Sequence, residues 1–501
     1  MNLFLSKSTF ILLLCSSISS YSQEKKAETS KTKKIEKAKE KSESYDIKFA
    51  VKGLKQGTTC ILANYYGDKQ YIKDSAKVDA KGIVTFKGDE KLPQGIYLFV
   101  PPDKKYFDFV VDEKQTFLIE TDTVDYVKNM KVKGSDENKF FYEYQQFMSK
   151  KQKQIEPLRE LYKLSKSNAD SAKLILKQME KIDEEVKNYK INFIKDNPKT
   201  FVAKLFKAME EPEVPETPTL PNGRKDSTFA FRYYKAHYFD NMDFTDDRML
   251  RTPIFHAHIK QYMDKMTAQT PDSINYEADY LIEKARPNPE MFKYMVWWIT
   301  LNYETSKIMG MDAVFVHMVE KYYLTREATW LDSAQYVKIA ERAAILKPLL
   351  IGKYAPSINM VDSTGKRVSL YDVKAKYTVV IFWDHGCGHC KKEVPKLSEI
   401  YKTKLKQKGV EVFAIETENK PDEWKKFIVE HKLDWINVNE PDDYNRAVTK
   451  KFYDIYSTPV IYLLDENKII RGKRIEAEQL SDLIDMMEKE KERKKDKEGN
   501  K

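Results

Sequence analysis

The sequence predicts a multidomain chain: a small antiparallel β domain, an α-helical middle region and a C-terminal α/β domain. Three observations carry this. Residues 46–121 alternate apolar and polar side chains between turn signals, residues 135–346 switch to a helical period, and a continuous apolar run at 377–383 leads into a further helix. The length allows three domains at roughly 150 residues each. Glycine is scarce, 16 of 501 residues against a usual ~7%, which disfavours collagen-like and β-helical chains and favours helix.

The first segment, 1–22, reads as a secretory leader. Lys7 precedes the apolar run Phe10–Cys15, and small polar residues follow up to Ser22. The run is too short to span a bilayer, which takes about 20 apolar residues. Cys15 offers a site for a lipid anchor, but Leu14 stands where a lipoprotein signal has a small residue, so export without lipidation is expected. Residues 23–45 form a charged linker, and residues 489–501 a charged tail. Residues 24–44 and 488–501 mix Lys with Glu and together supply five of the ten net positive charges. A groove-tracking nucleic-acid face needs cations without interleaved acids, so no nucleic-acid partner is expected. Removal of the leader leaves Cys60, Cys387 and Cys390. Three thiols make no disulfide framework, but one close pair and one orphan suit a redox-active dithiol.

In the β domain, 46–134, Phe49 and Val51, Ile83 and Phe86, Ile96, Leu98 and Val100, then Phe107, Phe109 and Val111 mark short strands of a sandwich-like fold. Cys60, in Thr58-Thr59-Cys60-Ile61-Leu62, reads as a small buried hydrophobe. In the helical region, 135–346, Ile175, Met179, Ile182, Val186, Tyr189 and Phe193 recur at helical spacing, and Pro157 is expected to end or kink its helix. Pro212, Pro215, Pro218 and Pro221 suit an extended connector, and Thr252-Pro253 an N-cap with Pro at N1. His256-Ala257-His258 has a spacing that converges on a strand but diverges by about 200° on a helix. The pair is therefore read as ordinary packing and not as a metal site. Tyr294, Trp297, Trp298 and Tyr303 are likewise read as core.

The α/β domain, 347–488, holds the chemistry. Tyr377–Trp383 is a continuous apolar run with β-branched residues, as in a strand buried on both faces. After Asp384-His385-Gly386, the motif Cys387-Gly388-His389-Cys390 opens a helix containing Glu393 and Pro395. A thiol attacks a disulfide only as thiolate, and an ordinary cysteine with pKa near 8.5 is mostly protonated at neutral pH. Cys387 at a helix N-terminus would face free N–H groups and the positive end of the helix dipole, which favour the anion. His389 could add charge or a hydrogen bond. Cys390, one turn on, can attack Cys387 in a mixed disulfide; it needs a base, and Glu393 is the nearest candidate. Thr458-Pro459 precedes the strand Ile461–Leu464, and in a domain of this class that bond is expected to be cis and opposite the dithiol.

This stretch resembles the thioredoxin superfamily, specifically the TlpA/ResA-like envelope thiol–disulfide oxidoreductases. The resemblance covers about 140 residues. It rests on Gly352-x-x-Ala355-Pro356, Phe382-Trp383, Cys387-Gly388-His389-Cys390, Lys391-Lys392-Glu393-x-Pro395, Thr458-Pro459 and the insertion Asp422–Asn439. It implies a thioredoxin-like fold, Cys387 as attacking thiol, Cys390 as resolving thiol, Glu393 as acid/base group and Pro459 as the cis-proline. Thr458, Pro459 and Trp383 are the residues expected to meet substrate. Protein thiols and disulfides are the implied substrates and a membrane protein the implied electron donor, with no cofactor. The family commonly has Trp where Gly386 stands, which alters how substrate is shielded. The Gly388-His389 dipeptide is that of protein disulfide isomerase, whose potential is near −180 mV against about −270 mV for thioredoxin, so the direction of electron flow stays open. The order of β domain, helical region and TlpA-like domain also resembles a known envelope arrangement.

Two alternatives remain. A peroxiredoxin shares the start of the domain, but Asp384-His385-Gly386 lacks the Thr or Ser and the Pro of that chemistry. A non-enzymatic envelope protein could hold Cu(I) on the two thiolates, which are soft ligands suited to that ion.

Overall fold

The computed structural model describes residues 44–165 and 168–499, with side chains to residue 496. The leader, Cys15 and nearly all of the linker lie outside these. The alternating segment forms two sheets. One, in the order β4-β1-β7-β8, contains β1 (Tyr45–Lys52), β4 (Ile83–Gly88), β7 (Thr116–Asp122) and β8 (Lys131–Lys133). The other, β3-β2-β5-β6, contains β2 (Thr59–Tyr66), β3 (Lys69–Lys77), β5 (Gly95–Val100) and β6 (Phe107–Val111). Pairing is antiparallel except between β1 and β7, which run parallel. Inward residues of both sheets share a phenylalanine core in which Phe49 lies 4.4 Å from Phe99 and 5.1 Å from Phe109. Cys60 is fully buried there, and burial pushes its thiol up to about 11, so it packs as an apolar group.

The middle region is helical: α1 (Asp136–Leu164), α2 (Ala169–Asp196), α3 (Phe201–Ala208), α4 (Phe229–His237), α5 (Pro253–Gln261), α6 (Pro271–Ala285), α7 (Pro289–Glu304), α8 (Asp312–Met318) and α9 (Ser333–Leu346). Ser135 caps α1, and Asn138 ties that helix to the backbone of Val110 in β6. Pro157 does not end α1. Its missing N–H removes one ladder bond, while packing on α2, with Phe147 stacked on Tyr189 at 4.5 Å, holds the two helices together. Thr252 caps α5 with Pro253 at its first turn. His256 bonds the Tyr294 hydroxyl at 2.8 Å and His258 stacks on Tyr238, so the two imidazoles serve separate partners. Gly67, in the β2–β3 turn at φ +61°, lets that hairpin reach the helical core: a Cβ there would lie 2.1 Å from the Tyr294 hydroxyl.

The C-terminal part is a seven-stranded sheet in the order β10-β9-β13-β12-β11-β14-β15. Its strands are β9 (Asn359–Asp362), β10 (Arg367–Ser369), β11 (Tyr377–Trp383), β12 (Val410–Glu416), β13 (Ile436–Asn439), β14 (Val460–Asp465) and β15 (Ile470–Lys473). Its helices are α10 (Cys390–Ile400), α11 (Pro421–Glu430), α12 (Asp443–Phe452) and α13 (Gln479–Gly499). β11 is parallel to β12 and antiparallel to β14, and every residue in it is buried. Tyr377, Val379, Ile381 and Trp383 face the core under α10, and Val380 and Phe382 the opposite core, which explains an unbroken apolar run. The charged segment from 489 continues α13. Lys and Glu at four-residue spacing, such as Glu490 and Lys494 at 2.7 Å, suit a solvated helix.

Candidate active site

The strand end dictates the site. Beyond Trp383 the chain turns at Asp384, whose carboxylate accepts the Gly386 N–H at 2.6 Å, while its backbone carbonyl accepts the Cys387 N–H at 3.1 Å. This turn delivers Cys387 to the start of α10, where its carbonyl accepts the Lys391 N–H. The Cys387 sulfur accepts backbone N–H groups of Cys390 and His389 and lies 3.5 Å from the Thr458 carbonyl. Hydrogen bonds to an anion favour it, led by the one from Cys390, and they hold the Cys387 thiol below the ordinary cysteine value. Cys390 is fully buried, and burial pushes its thiol up to about 12, although the Asp384 N–H approaches its sulfur at 3.5 Å. One thiol is thus partly exposed and acidic, its neighbour sealed and weakly acidic. In iodoacetamide alkylation, the rate at Cys387 should rise with a midpoint below the usual ~8.5 and return to it in denaturant, with Cys390 unreactive across the same range.

The Thr458–Pro459 bond is cis, and both residues are half-buried beside Cys387. His389 acts on Cys387 through its backbone N–H; its imidazole is exposed and makes no capping bond. Glu393 is half-buried on α10 with its carboxylate 3.5 Å from the Lys396 ammonium. Trp383 requires a correction: it is 0% exposed and packs 5.0 Å from Phe427 of α11, so it supports the site from within and offers substrate no surface. The strand register turns its ring into the core.

A neighbouring cluster was not anticipated. Glu416, the last residue of β12 and paired with Trp383, is fully buried, and burial together with the nearby Asp384 pushes it up to about 8. His385 is also buried, with Nδ1 3.4 Å from Glu416 and Nε2 3.1 Å from Glu423 of α11. The only signal in the sequence is an acid closing a short apolar run, Val412-Phe413-Ala414-Ile415-Glu416. Among the described residues, the donor atoms of Asp384, His385 and Glu416 gather closely enough to hold a metal.

Comparison with known proteins places this geometry. Residues 351–473 match the protein-family model described as the AhpC/TSA family, residues 169–348 a domain of unknown function (DUF5106), and residues 45–141 another (DUF4369). The thiol-disulfide oxidoreductase ResA of Bacillus thuringiensis is 30% identical over 137 residues, 27% of this chain and 75% of that protein. Among solved structures, a domain of a possible thiol-disulfide isomerase from Cytophaga hutchinsonii is 47% identical, covering 29% of this chain and 97% of its own, with a TM-score of 0.27. The thioredoxin domain of a thiol-disulfide oxidoreductase from Bacteroides vulgatus is 34% identical, covering 28% and 96%, with a TM-score of 0.25. With a dithiol at a strand-to-helix turn and this extent of shared sequence, the chain belongs to the ResA family of thioredoxin-like thiol–disulfide oxidoreductases.

Proposed function

We propose that the protein works in the bacterial cell envelope, exchanging disulfides with protein substrates through Cys387 and Cys390. The observation that carries this reading is a partly exposed Cys387 at the start of α10 beside a fully buried Cys390 in its first turn. The Cys387 thiolate attacks a substrate disulfide, forming one S–S bond and releasing one substrate thiolate. Cys390, losing its proton to Glu393, then attacks the Cys387 sulfur, so the second substrate thiolate leaves and the enzyme keeps the disulfide. Two electrons pass to the substrate, and a membrane donor of two electrons restores the dithiol. The backbone at Thr458, beside the Cys387 sulfur, is free to pair with an extended substrate segment.

The apolar leader and the solitary cysteine pair support export, and no described helix is long and apolar enough to cross a membrane. Against a peroxidase stands the residue set ahead of Cys387, which supplies Asp384, His385 and Gly386. Purification of the Cys390→Ala chain from the envelope tests the proposal. Mixed disulfides through Cys387 should accumulate and vanish with dithiothreitol; no adduct at Cys387 would refute the resolving role of Cys390. A redox potential measured against glutathione then fixes the direction, with a value near thioredoxin's −270 mV indicating a reductase.

A further inference from the structure

We propose that Asp384, His385 and Glu416 form a site for a divalent first-row metal ion at the carboxyl ends of β11 and β12, separate from the two thiols. One donor atom from each lies within 4.8 Å of the other two. The His385 Nδ1 is 3.4 Å from a Glu416 oxygen and 3.9 Å from Asp384 Oδ1. Tetrahedral zinc with bonds of about 2.0–2.1 Å places its ligand atoms about 3.3 Å apart, so the His385–Glu416 pair already stands near that spacing and Asp384 has to move inward.

The state of these atoms points the same way. His385 Nδ1 and Glu416 Oε2 are buried without a hydrogen-bond partner, and so is Oδ1 of Asn439, the residue paired with Glu416 across β13. Of these, the His385 Nδ1 and the Glu416 carboxylate face one another at 3.4 Å. Facing acceptors repel unless a proton or a cation lies between them. The other ring nitrogen of His385 meets Glu423 at 3.1 Å. A proton there leaves Nδ1 bare, and a carboxylate behind a histidine is the usual outer support of a metal-bound imidazole. One imidazole and two carboxylates favour zinc or manganese over soft Cu(I), and three protein ligands leave one position open.

The test is a calorimetric titration of the untagged full chain carrying Cys387→Ser and Cys390→Ser, so that no thiolate of the dithiol competes, with zinc chloride as the probe. One equivalent should bind. Glu416→Gln and His385→Ala should each weaken binding by at least tenfold, and Glu423→Gln by about 10–100-fold. His317→Ala, which removes a different histidine–carboxylate pair, should leave it unchanged. Circular dichroism verifies that each variant is folded. Absence of binding in the parent, or equal binding in the folded Glu416→Gln and His385→Ala chains, overturns the assignment and leaves a shared proton as the occupant.

Discussion

Replacing Cys387 with serine should reduce insulin-reduction activity to the dithiothreitol background, while Cys390→Ser should still attack substrate once and then stall. The difference follows from where each sulfur sits. Cys387 is the thiol in contact with solvent, and amide N–H groups at the start of α10 hold it below the ordinary cysteine pKa. A serine hydroxyl there would stay protonated and could form no sulfur–sulfur bond, so neither the first nor the second exchange can begin. Cys390, buried and pushed up to about 12, has no route to an external disulfide and acts only on Cys387. Glu393→Gln should affect only that second step, slowing release by about 10²-fold, at the lower end of what proton transfer contributes. Stopped-flow fluorescence with an oxidised peptide separates the steps. Retained turnover in Cys387→Ser would remove the basis of the mechanism.

The second large effect concerns stability. Asp312→Ala should destabilise the chain by about 3–5 kcal/mol, the usual result of stripping one partner from a buried ion pair. Lys473 of β15 has a side chain 6% exposed, and its ammonium pairs with Asp312 of α8 while donating to the Leu349 carbonyl at 2.8 Å. Burial already pushes the Lys473 ammonium below the ordinary lysine pKa, a sign that its charge is poorly solvated. Without Asp312 the charge would be left in a dry seam between the helical region and the C-terminal sheet. Adding Lys473→Met to Asp312→Ala should recover most of the loss, because two apolar groups need no counter-charge. Urea denaturation of the four chains of this cycle measures the coupling; a cost below about 1 kcal/mol for Asp312→Ala would mean that water or another group replaces the carboxylate. Asp454, 1% exposed and held by Arg342 of α9 and Arg474, makes a second tie across the same seam.

Local pattern made much of the architecture legible. The period-two run around Phe49 and Phe86 specified paired strands because each inward residue needs an apolar partner across the sandwich. The seven apolar residues before Asp384 specified a central strand because both of its faces are covered. Pro157 does not end its helix because its local cost of one hydrogen bond is small beside the packing of two long helices. The charged end is helical because Lys and Glu at four-residue spacing support a helix in water.

The sequence by itself determined the fold class, the placement of Cys387 and Cys390 at a strand-to-helix turn, and hence the family, since those depend on residues adjacent in the chain. Only the tertiary structure decided that Trp383 is core, that His389 serves Cys387 through its amide, and that Asp384, His385, Glu416 and Glu423 converge. Those outcomes depend on strand register and on desolvation, which arise when segments 30 or more residues apart are packed together, and neither is written in the neighbours of any one residue.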